Sequence, residues 1–458
     1  MTSTTHLVDL EPAYLAERTY ATRRRRFLVD ITALVNVMVA MVFLLPARLV
    51  MPQLPSVGRP ALMLGLVVAG VWVVSKIHPR YAMRGPQPMR WAATLFLVAS
   101  LVSYASAYFR ALPTLEANGA DLSLIATTIF VGTILVVADC VPNRERLDAL
   151  VRTVVWCGAG MALIGLASYV LRIDLTTYIQ IPGLVLHGQL SGLEARGYGF
   201  VRVASTATHY IEFSTVMAMV LPFAIHLVMY ARTGAARQVA LISSLLIAVA
   251  IPVALSRTGI LAAAVALLTM SFAWSWRTRL NVGGLAIAVL ACITVVEPGL
   301  LGTIRSLFLG MGNDPSIQGR TQDWDIMMAY FAERPWFGRG MGTFIPDLYI
   351  VVDNQWLQQL VGGGLVGVAG LLALHLAGFA VAIVARARST RAEDRHLCAC
   401  IASVQPIAIV AHATFDTFAF STFVATLALI TGMSGTIWRL NHPDRRVRLS
   451  RTAGVPAV

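Results

Sequence analysis

Long apolar segments alternate with short polar ones along most of the chain. Crossing the hydrocarbon core of a bilayer takes roughly 20 apolar residues, and backbone groups in lipid must be satisfied within their own segment, which favours helices over strands. The pattern predicts an all-α polytopic membrane protein with about twelve transmembrane helices, near residues 27–45, 61–77, 91–109, 123–139, 151–171, 210–230, 238–255, 259–275, 283–296, 355–385, 398–414 and 417–438.

Composition agrees with lipid as the main solvent of the surface. Of 458 residues, 57% are hydrophobic and only 13% are charged, far fewer charges than a soluble chain of this length carries. The net charge of +13 comes from basic residues scattered between apolar segments, whereas a nucleic-acid site clusters them on one face. We therefore expect membrane lipids, and no nucleic acid, around this protein. The five cysteines are odd in number and none lies in a long polar loop, so no disulfide framework or zinc site is expected.

The distribution of basic residues predicts the orientation. With the run Arg23–Arg26 placed in the cytoplasm, most of the 36 basic residues fall in segments that are also cytoplasmic, which is the positive-inside pattern. The sequence thus predicts a cytoplasmic tail over 1–26, a transmembrane domain over 27–438 and a second cytoplasmic tail over 439–458.

Two long loops, about 172–209 and 297–354, lie on the predicted outer side, while every inner loop is short. Long loops between closely connected spans are usually functional or disordered, and the second is too rich in aromatic and apolar residues for disorder. Its residues 321–333 follow a helical apolar spacing and precede Pro335, which predicts an amphipathic helix. We expect that helix to lie along the outer membrane face or to cap a cavity.

Arginines on the outer side are informative because the topology rule disfavours them there. Arg257 lies in a tight outer turn, where it is either an anion-binding group or a snorkelling arginine that donates to turn carbonyls. Arg320 lies at the start of the predicted amphipathic helix. A helix N-terminus attracts anions and a guanidinium fork binds phosphate oxygens in pairs, although a salt bridge to Asp323 or Asp325 is the alternative.

Further polar residues lie at the outer ends of predicted spans. Arg202 and His209 precede the sixth span, and His209 is either a base or an interfacial hydrogen-bonding residue. Asp353 precedes the tenth span, as a helix cap or as a carboxylate that accepts a proton from a sugar hydroxyl. Arginines and a carboxylate thus converge on the outer side, without a metal-ligand cluster or nucleotide motif in the sequence. This set favours an anionic, lipid-linked substrate.

Four motifs in order resemble the O-antigen ligase and polymerase superfamily of bacterial envelope glycosyltransferases. The resemblance covers about 200–370, including a large outer loop between late spans, and rests on the segments Ser256–Gly259, Gly319–Trp324, Arg334–Phe344 and Asp353–Leu357 with Gly364–Gly367. It implies a GT-C-like membrane enzyme of the bacterial inner membrane. That enzyme would be a metal-independent, inverting glycosyltransferase without a cofactor, acting outside the cytoplasm on a polyprenyl-diphosphate-linked glycan donor and a glycan or lipid acceptor.

The resemblance also implies roles for individual residues. Arg257 and Arg320 would hold the donor diphosphate, with Arg202 nearby; Asp353 is the first candidate for the base and His209 the second. Asp353 stands where lipopolysaccharide ligases usually carry a histidine, and Tyr210 replaces a usual proline. The departure at Asp353 favours a polymerase, or a ligase with another acceptor, over a lipid A core ligase, whereas the one at Tyr210 concerns the pattern that contains Arg202 and His209.

A multi-span transporter or flippase of a lipid-linked glycan is the alternative from another functional class. Transporters usually show internal repeats and ionisable groups near the bilayer midplane. The sequence shows no repeat between its halves, and the candidate polar groups lie at the outer edge.

Overall fold

The computed structural model describes residues 30–54, 57–77, 85–188, 192–197, 199–296, 299, 302–305 and 315–443. The whole predicted tail 1–26 and most of the predicted tail 439–458 lie outside these residues. Each of the twelve predicted spans corresponds to one helix, and one further helix lies in the second long loop. The helices are α1 (Ile31–Leu44), α2 (Pro60–Ile77), α3 (Pro88–Ala107), α4 (Thr114–Cys140), α5 (Arg144–Leu171), α6 (Tyr210–Met229), α7 (Gly234–Val253), α8 (Arg257–Ser271), α9 (Trp276–Val296), α10 (Pro315–Glu333), α11 (Gln355–Arg388), α12 (Ala392–His412) and α13 (Ser421–Leu440).

The fold is that of an all-α, multi-pass membrane protein. Nine helices of the described residues are long and apolar enough to cross a membrane, and α1 and α8 are shorter apolar helices. Several begin at the polar caps that helix N-termini prefer: Asp30, Asn143, Thr233 and Asn354 each accept a hydrogen bond from a backbone N–H of the first turn.

The central helices of the bundle are α6 and α13. Most of each helix is buried, and α6 packs against α7, α8 and α12, while α13 packs against α4 and α11. Helix α9 differs most from these two in burial, because none of its apolar, membrane-length segment is buried. An apolar helix with this exposure fits a position facing lipid.

We call the end of the bundle that carries the loops 172–209 and 297–354 the loop face. Two short antiparallel pairs lie in or beside the first loop, β1 (Leu49–Val50) with β2 (Val185–Leu186) and β3 (Leu193–Gly197) with β4 (Phe200–Val203). Asp174 holds this loop in place, because its carboxylate accepts hydrogen bonds from Arg48 Nη2 and the Gly192 N–H, both at 2.8 Å.

The amphipathic helix of the second loop is α10, which begins at Pro315, earlier than predicted. Met327 is buried in a cluster with Phe344, Val352, Leu357 and Val361, whereas Trp324, one turn earlier, is 51% exposed. The helix therefore packs mainly on the segment that leads into α11.

Helix α11 is interrupted at Gly364, whose φ of 63° and ψ of −165° are not helical. The glycine-rich segment Arg334–Phe344 lies against this break, where Arg339 N–H donates to Val361 O and Gly340 N–H to Gly362 O, both at 2.9 Å. A Cβ on Gly364 would lie 2.4 Å from the Trp336 carbonyl carbon. Glycine is thus required here for backbone-to-backbone contact.

Candidate active site

Four of the five predicted site residues have described side chains, and all four lie at the loop face. Arg202 is on β4, His209 caps α6, Arg257 is the first residue of α8, and Asp353 precedes α11 by two residues. Arg320 lies in the second turn of α10, not in its first; its side chain lies outside the described part of the structure.

Arg202 and His209 share contacts with Glu194 and Tyr210. Arg202 Nη1 donates to Tyr210 Oη at 2.7 Å and to Glu194 Oε1 at 3.2 Å, and its guanidinium lies 4.3 Å from the centre of the Tyr210 ring. His209 Nε2 is 3.9 Å from Glu194 Oε2. A phosphate that binds Arg202 therefore has to compete with the partly exposed Glu194 carboxylate.

His209 is held in its neutral form. Burial lowers its pKa most; the charge of Arg202 lowers it further, while those of Glu194 and Asp353 raise it. Its Nδ1 accepts a long, 3.4 Å hydrogen bond from the Ile211 N–H, so the proton of the neutral ring lies on Nε2. As a base, His209 would first have to give up the contact with Ile211.

Asp353 has a second carboxylate beside it, Asp416, which the sequence reasoning missed. Burial, and secondly the charge of Asp353, raise the pKa of Asp416 to about 7. Asp353 also acts electrostatically on His209, so its charge acts on both of the other groups. The available sequence signal was the same as for Arg257: a lone charge in a tight turn between two apolar segments.

The two carboxylates are positioned by contacts between α11 and the turn after α12. Gln355 N–H donates to Phe415 O at 3.2 Å, and Phe418 N–H donates to Gln355 Oε1 at 2.9 Å. The two bonds lie on either side of Asp416 in the sequence, and they hold Gln355, which is two residues after Asp353, against this turn. A base needs this kind of positioning, because its reach to a substrate proton is limited to about one hydrogen bond.

Arg257 is placed by a strained turn and a close helix crossing. Leu255 adopts a φ of 50°, and Ser256 Oγ accepts from the Gly259 N–H at 3.2 Å. A Cβ on Gly259 would lie 2.3 Å from the Ser214 Cβ, so α8 meets the first turns of α6 closely. Arg257 is half-buried, while Ser256 and Thr258 on either side are buried. The turn thus presents the guanidinium at the loop face.

Glu212 ties the start of α6 to the start of α13. Its carboxylate accepts from the backbone N–H groups of Thr208 at 2.8 Å, Thr422 at 2.7 Å and Phe423 at 3.1 Å. Three backbone donors fill most of the hydrogen-bond-accepting positions of a buried carboxylate. We interpret Glu212 as a positioning group for the segment that carries His209.

A cavity of about 670 Å³ is lined in part by Asp416. Its walls come from α1, α2, α4 and α13, and its loop-face end is lined by Arg59, Gln355, Gln358 and Asp416. The size lies in the usual range for small-molecule sites, which combine apolar walls with a few convergent polar groups.

One group of buried side chains, among those described, has the spacing of metal ligands: His226, His396 and Cys400, with ligand atoms within 4.8 Å of one another. It lies at the end of the bundle opposite the loop face. Trp274 Nε1 donates to His396 Nε2 at 2.9 Å, and since indole N–H only donates, the His396 proton must lie on Nδ1. That proton faces the other two ligand atoms, so the arrangement fits a hydrogen-bonded network better than a metal site.

Residues 242–372 match the family described as O-Antigen ligase. The match runs from α7 into α11 and includes Arg257, Arg320 and Asp353. It confirms the predicted resemblance to the O-antigen ligase and polymerase superfamily and supports a membrane function of that type. No curated protein matches the chain.

Proposed function

From the confirmed resemblance to the O-antigen ligase and polymerase superfamily, we propose that this protein is an integral-membrane glycosyltransferase. It polymerises or ligates a polyprenyl-diphosphate-linked oligosaccharide at the extracytoplasmic side of the bacterial inner membrane. Both termini are cytoplasmic, and the loop face is the extracytoplasmic side. The reaction is metal-independent and proceeds with inversion at the anomeric carbon.

The observation that carries this proposal is the set of Asp353, Asp416 and His209 at the loop face, of which Asp416 lines a cavity with apolar walls. Glycosyl transfer needs a group that takes a proton from the acceptor hydroxyl near the operating pH. A carboxylate whose pKa is raised to about 7 has that property. The adjoining apolar cavity supports a lipid as part of the substrate.

The chemical step is one displacement. The acceptor oxygen forms a bond to the anomeric carbon as the bond from that carbon to the donor phosphate oxygen breaks, and the diphosphate leaves with the electron pair. The hydroxyl proton passes to a carboxylate, with Asp353 as the first candidate and Asp416, on which the charge of Asp353 acts, as its partner. His209 is the second candidate for the base, because burial keeps it neutral.

The departing diphosphate accumulates negative charge, and arginines stabilise that charge. Arg257 at the start of α8 binds the diphosphate, and Arg320 on α10 binds it from the second long loop. Guanidinium groups bind phosphate oxygens in pairs, which adds geometric specificity to charge. Arg202 contributes once its ion pair with Glu194 yields to the substrate.

The proposal is tested with purified protein in lipid nanodiscs and a labelled lipid-linked glycan donor. Arg257→Ala should lower the transfer rate by about 100-fold, the usual cost of removing one preorganised electrostatic contact, while Arg257→Lys keeps part of it. The matched control is Arg277→Ala, an exposed arginine at the other end of the bundle. Normal turnover in Arg257→Ala, at equal folded protein, would remove the diphosphate-binding role.

A further inference from the structure

A second cavity, of about 770 Å³, lies at the end of the bundle opposite the loop face. Its walls come from the starts of α5, α7 and α12 and from the end of α6. On α5 the lining includes Arg144, Asp148, Arg152 and Trp156, which are four residues apart and therefore form one row along the helix. None of the described residues that line this cavity belongs to the site proposed for glycosyl transfer.

The part of the cavity around Arg144 carries an excess of negative charge. Arg144 Nε donates to Asp148 Oδ1 at 2.9 Å, its Nη2 lies 3.6 Å from Glu393 Oε1, and Asp394 also pairs with it. One guanidinium therefore faces three carboxylates, and a fourth, Glu145, lines the cavity beside it. A bound cation is favoured here.

The opposite charge prevails one turn further along α5, at Arg152. Among the described residues, the half-buried Arg152 has no hydrogen bond or salt bridge to its guanidinium; its charge acts on Asp148, which Arg144 already occupies. Arg232, which is exposed, lines the same cavity just before the first turn of α7. Guanidinium groups bind phosphate oxygens in pairs, and a helix N-terminus also attracts anions. A bound phosphate is favoured at this level.

The length of α5 places Arg152 at the edge of the hydrocarbon core. The helix has 28 residues, about 42 Å at 1.5 Å per residue, whereas the core is about 30 Å thick. Its loop-face end is apolar and exposed, with Val170 at 75% and Leu171 at 56%, which fits a position in lipid. The surplus of about 12 Å, or about eight residues, therefore lies at the other end and puts the boundary near Arg152.

The cavity opens towards lipid between α5 and α7. Trp156 on α5 is 52% exposed and Val239 on α7 is 49% exposed, and both line the cavity. The α7 lining also includes Ala235, Ala236 and Ala240, whose small side chains leave room beside α5. An acyl chain fits this apolar side, and tryptophan is typical of the membrane interface.

We propose that this cavity binds a phospholipid with a phosphoethanolamine headgroup. The acyl chain lies along Trp156 and Val239, the phosphate binds Arg152, and the ammonium group binds the carboxylates around Arg144. A two-carbon bridge separates the two charges of this headgroup, a spacing of the same order as the rise of about 6 Å from Arg152 to Asp148. The site goes beyond the proposed glycosyl transfer and does not depend on it.

Binding is measured by native mass spectrometry of the full chain in detergent, with phosphatidylethanolamine, phosphatidylcholine and phosphatidylglycerol of equal chain length. Phosphatidylethanolamine should bind about fivefold more tightly than the other two, the effect of about one charge near a membrane surface. A quaternary amine cannot donate to the carboxylates, and a glycerol headgroup has no positive charge.

Two substitutions should have different effects, which a general loss of folding would not produce. Arg152→Gln should weaken all three phospholipids about fivefold, because they share the phosphate. Glu393→Gln should lower the preference for phosphatidylethanolamine over phosphatidylglycerol about fivefold, because it removes a partner of the ammonium group. The matched control is Arg237→Gln, an exposed arginine of α7 outside the described lining, which should change nothing.

A filled cavity and a soluble competitor complete the test. Ala236 is an exposed residue of the cavity wall, and Ala236→Trp should block lipid binding while the thermal midpoint without lipid stays near that of the parent. Free phosphoethanolamine at millimolar concentration should not displace the lipid, because it lacks the acyl chain. Equal binding of the three phospholipids, an unchanged preference in Glu393→Gln, full binding in Arg152→Gln, or displacement by phosphoethanolamine overturns the proposal.

Discussion

The pKa of Asp416 gives a quantitative pH dependence of glycosyl transfer. Asp416 takes a proton only when it is ionised, and burial together with the charge of Asp353 raises the pKa of Asp416 to about 7. The ionised fraction is then about one tenth at pH 6 and about nine tenths at pH 8. The single-turnover rate should therefore rise about tenfold between pH 6 and pH 8 and level off above.

Substitutions distinguish the contribution of Asp416 to this pH dependence from the contributions of Asp353 and His209. Asp353→Asn removes a like charge that raises the pKa of Asp416, so any remaining acid limb should move to lower pH. Asp416→Asn should abolish the limb near pH 7 and lower the plateau rate. His209→Gln should leave the limb in place, because burial lowers the pKa of His209 below its usual range.

The assay is a rapid-quench measurement of labelled glycan transfer in nanodiscs from pH 5.5 to pH 8.5, at saturating donor and acceptor. Thermal melting at each pH shows whether the protein stays folded. A flat profile between pH 6 and pH 8 in the parent, or an unchanged limb in Asp416→Asn, would refute the role of this carboxylate.

Two further predictions concern the frame around the site. Gly259→Ala should destabilise the protein by about 1–3 kcal/mol, the usual cost of overpacking, because its Cβ would meet Ser214 Cβ at 2.3 Å. Adding Ser214→Gly should restore the melting temperature. Additive effects of the two substitutions on stability would contradict the close crossing of α6 and α8. Glu212→Gln replaces one acceptor oxygen with a donor and should lower the free energy of unfolding by about 1–3 kcal/mol. Thermal melting at fixed lipid composition measures this loss. A melting temperature equal to that of the parent would show that the hydrogen bonds from the N–H groups of Thr208 and Thr422 to Glu212 contribute little.

Hydrophobic segments allowed the fold to be predicted almost helix by helix. Segment length and polarity report directly on whether a helix can lie in lipid, and all twelve predicted spans correspond to helices. The break of α11 at Gly364 was not predicted, because it depends on the distant segment Arg334–Phe344 packing against it.

The candidate site was predictable in part, since charges at the ends of apolar segments mark the loop face. Asp353, His209, Arg202 and Arg257 were found this way. Asp416 and Arg59 were not, because their significance depends on neighbours distant in sequence: Asp353 for Asp416, and the cavity walls for Arg59. Local sequence likewise gave no indication that Arg202 is paired with Glu194 across a β-hairpin.

The most direct test of the transferase is the product balance of the purified protein in proteoliposomes with a labelled polyprenyl-diphosphate-linked glycan. We predict one new glycosidic bond, of inverted anomeric configuration, for each polyprenyl diphosphate released, and formation of both products about 100-fold slower in Arg257→Ala. Movement of labelled lipid-linked glycan across the bilayer with no new glycosidic bond would contradict the account and indicate a transporter.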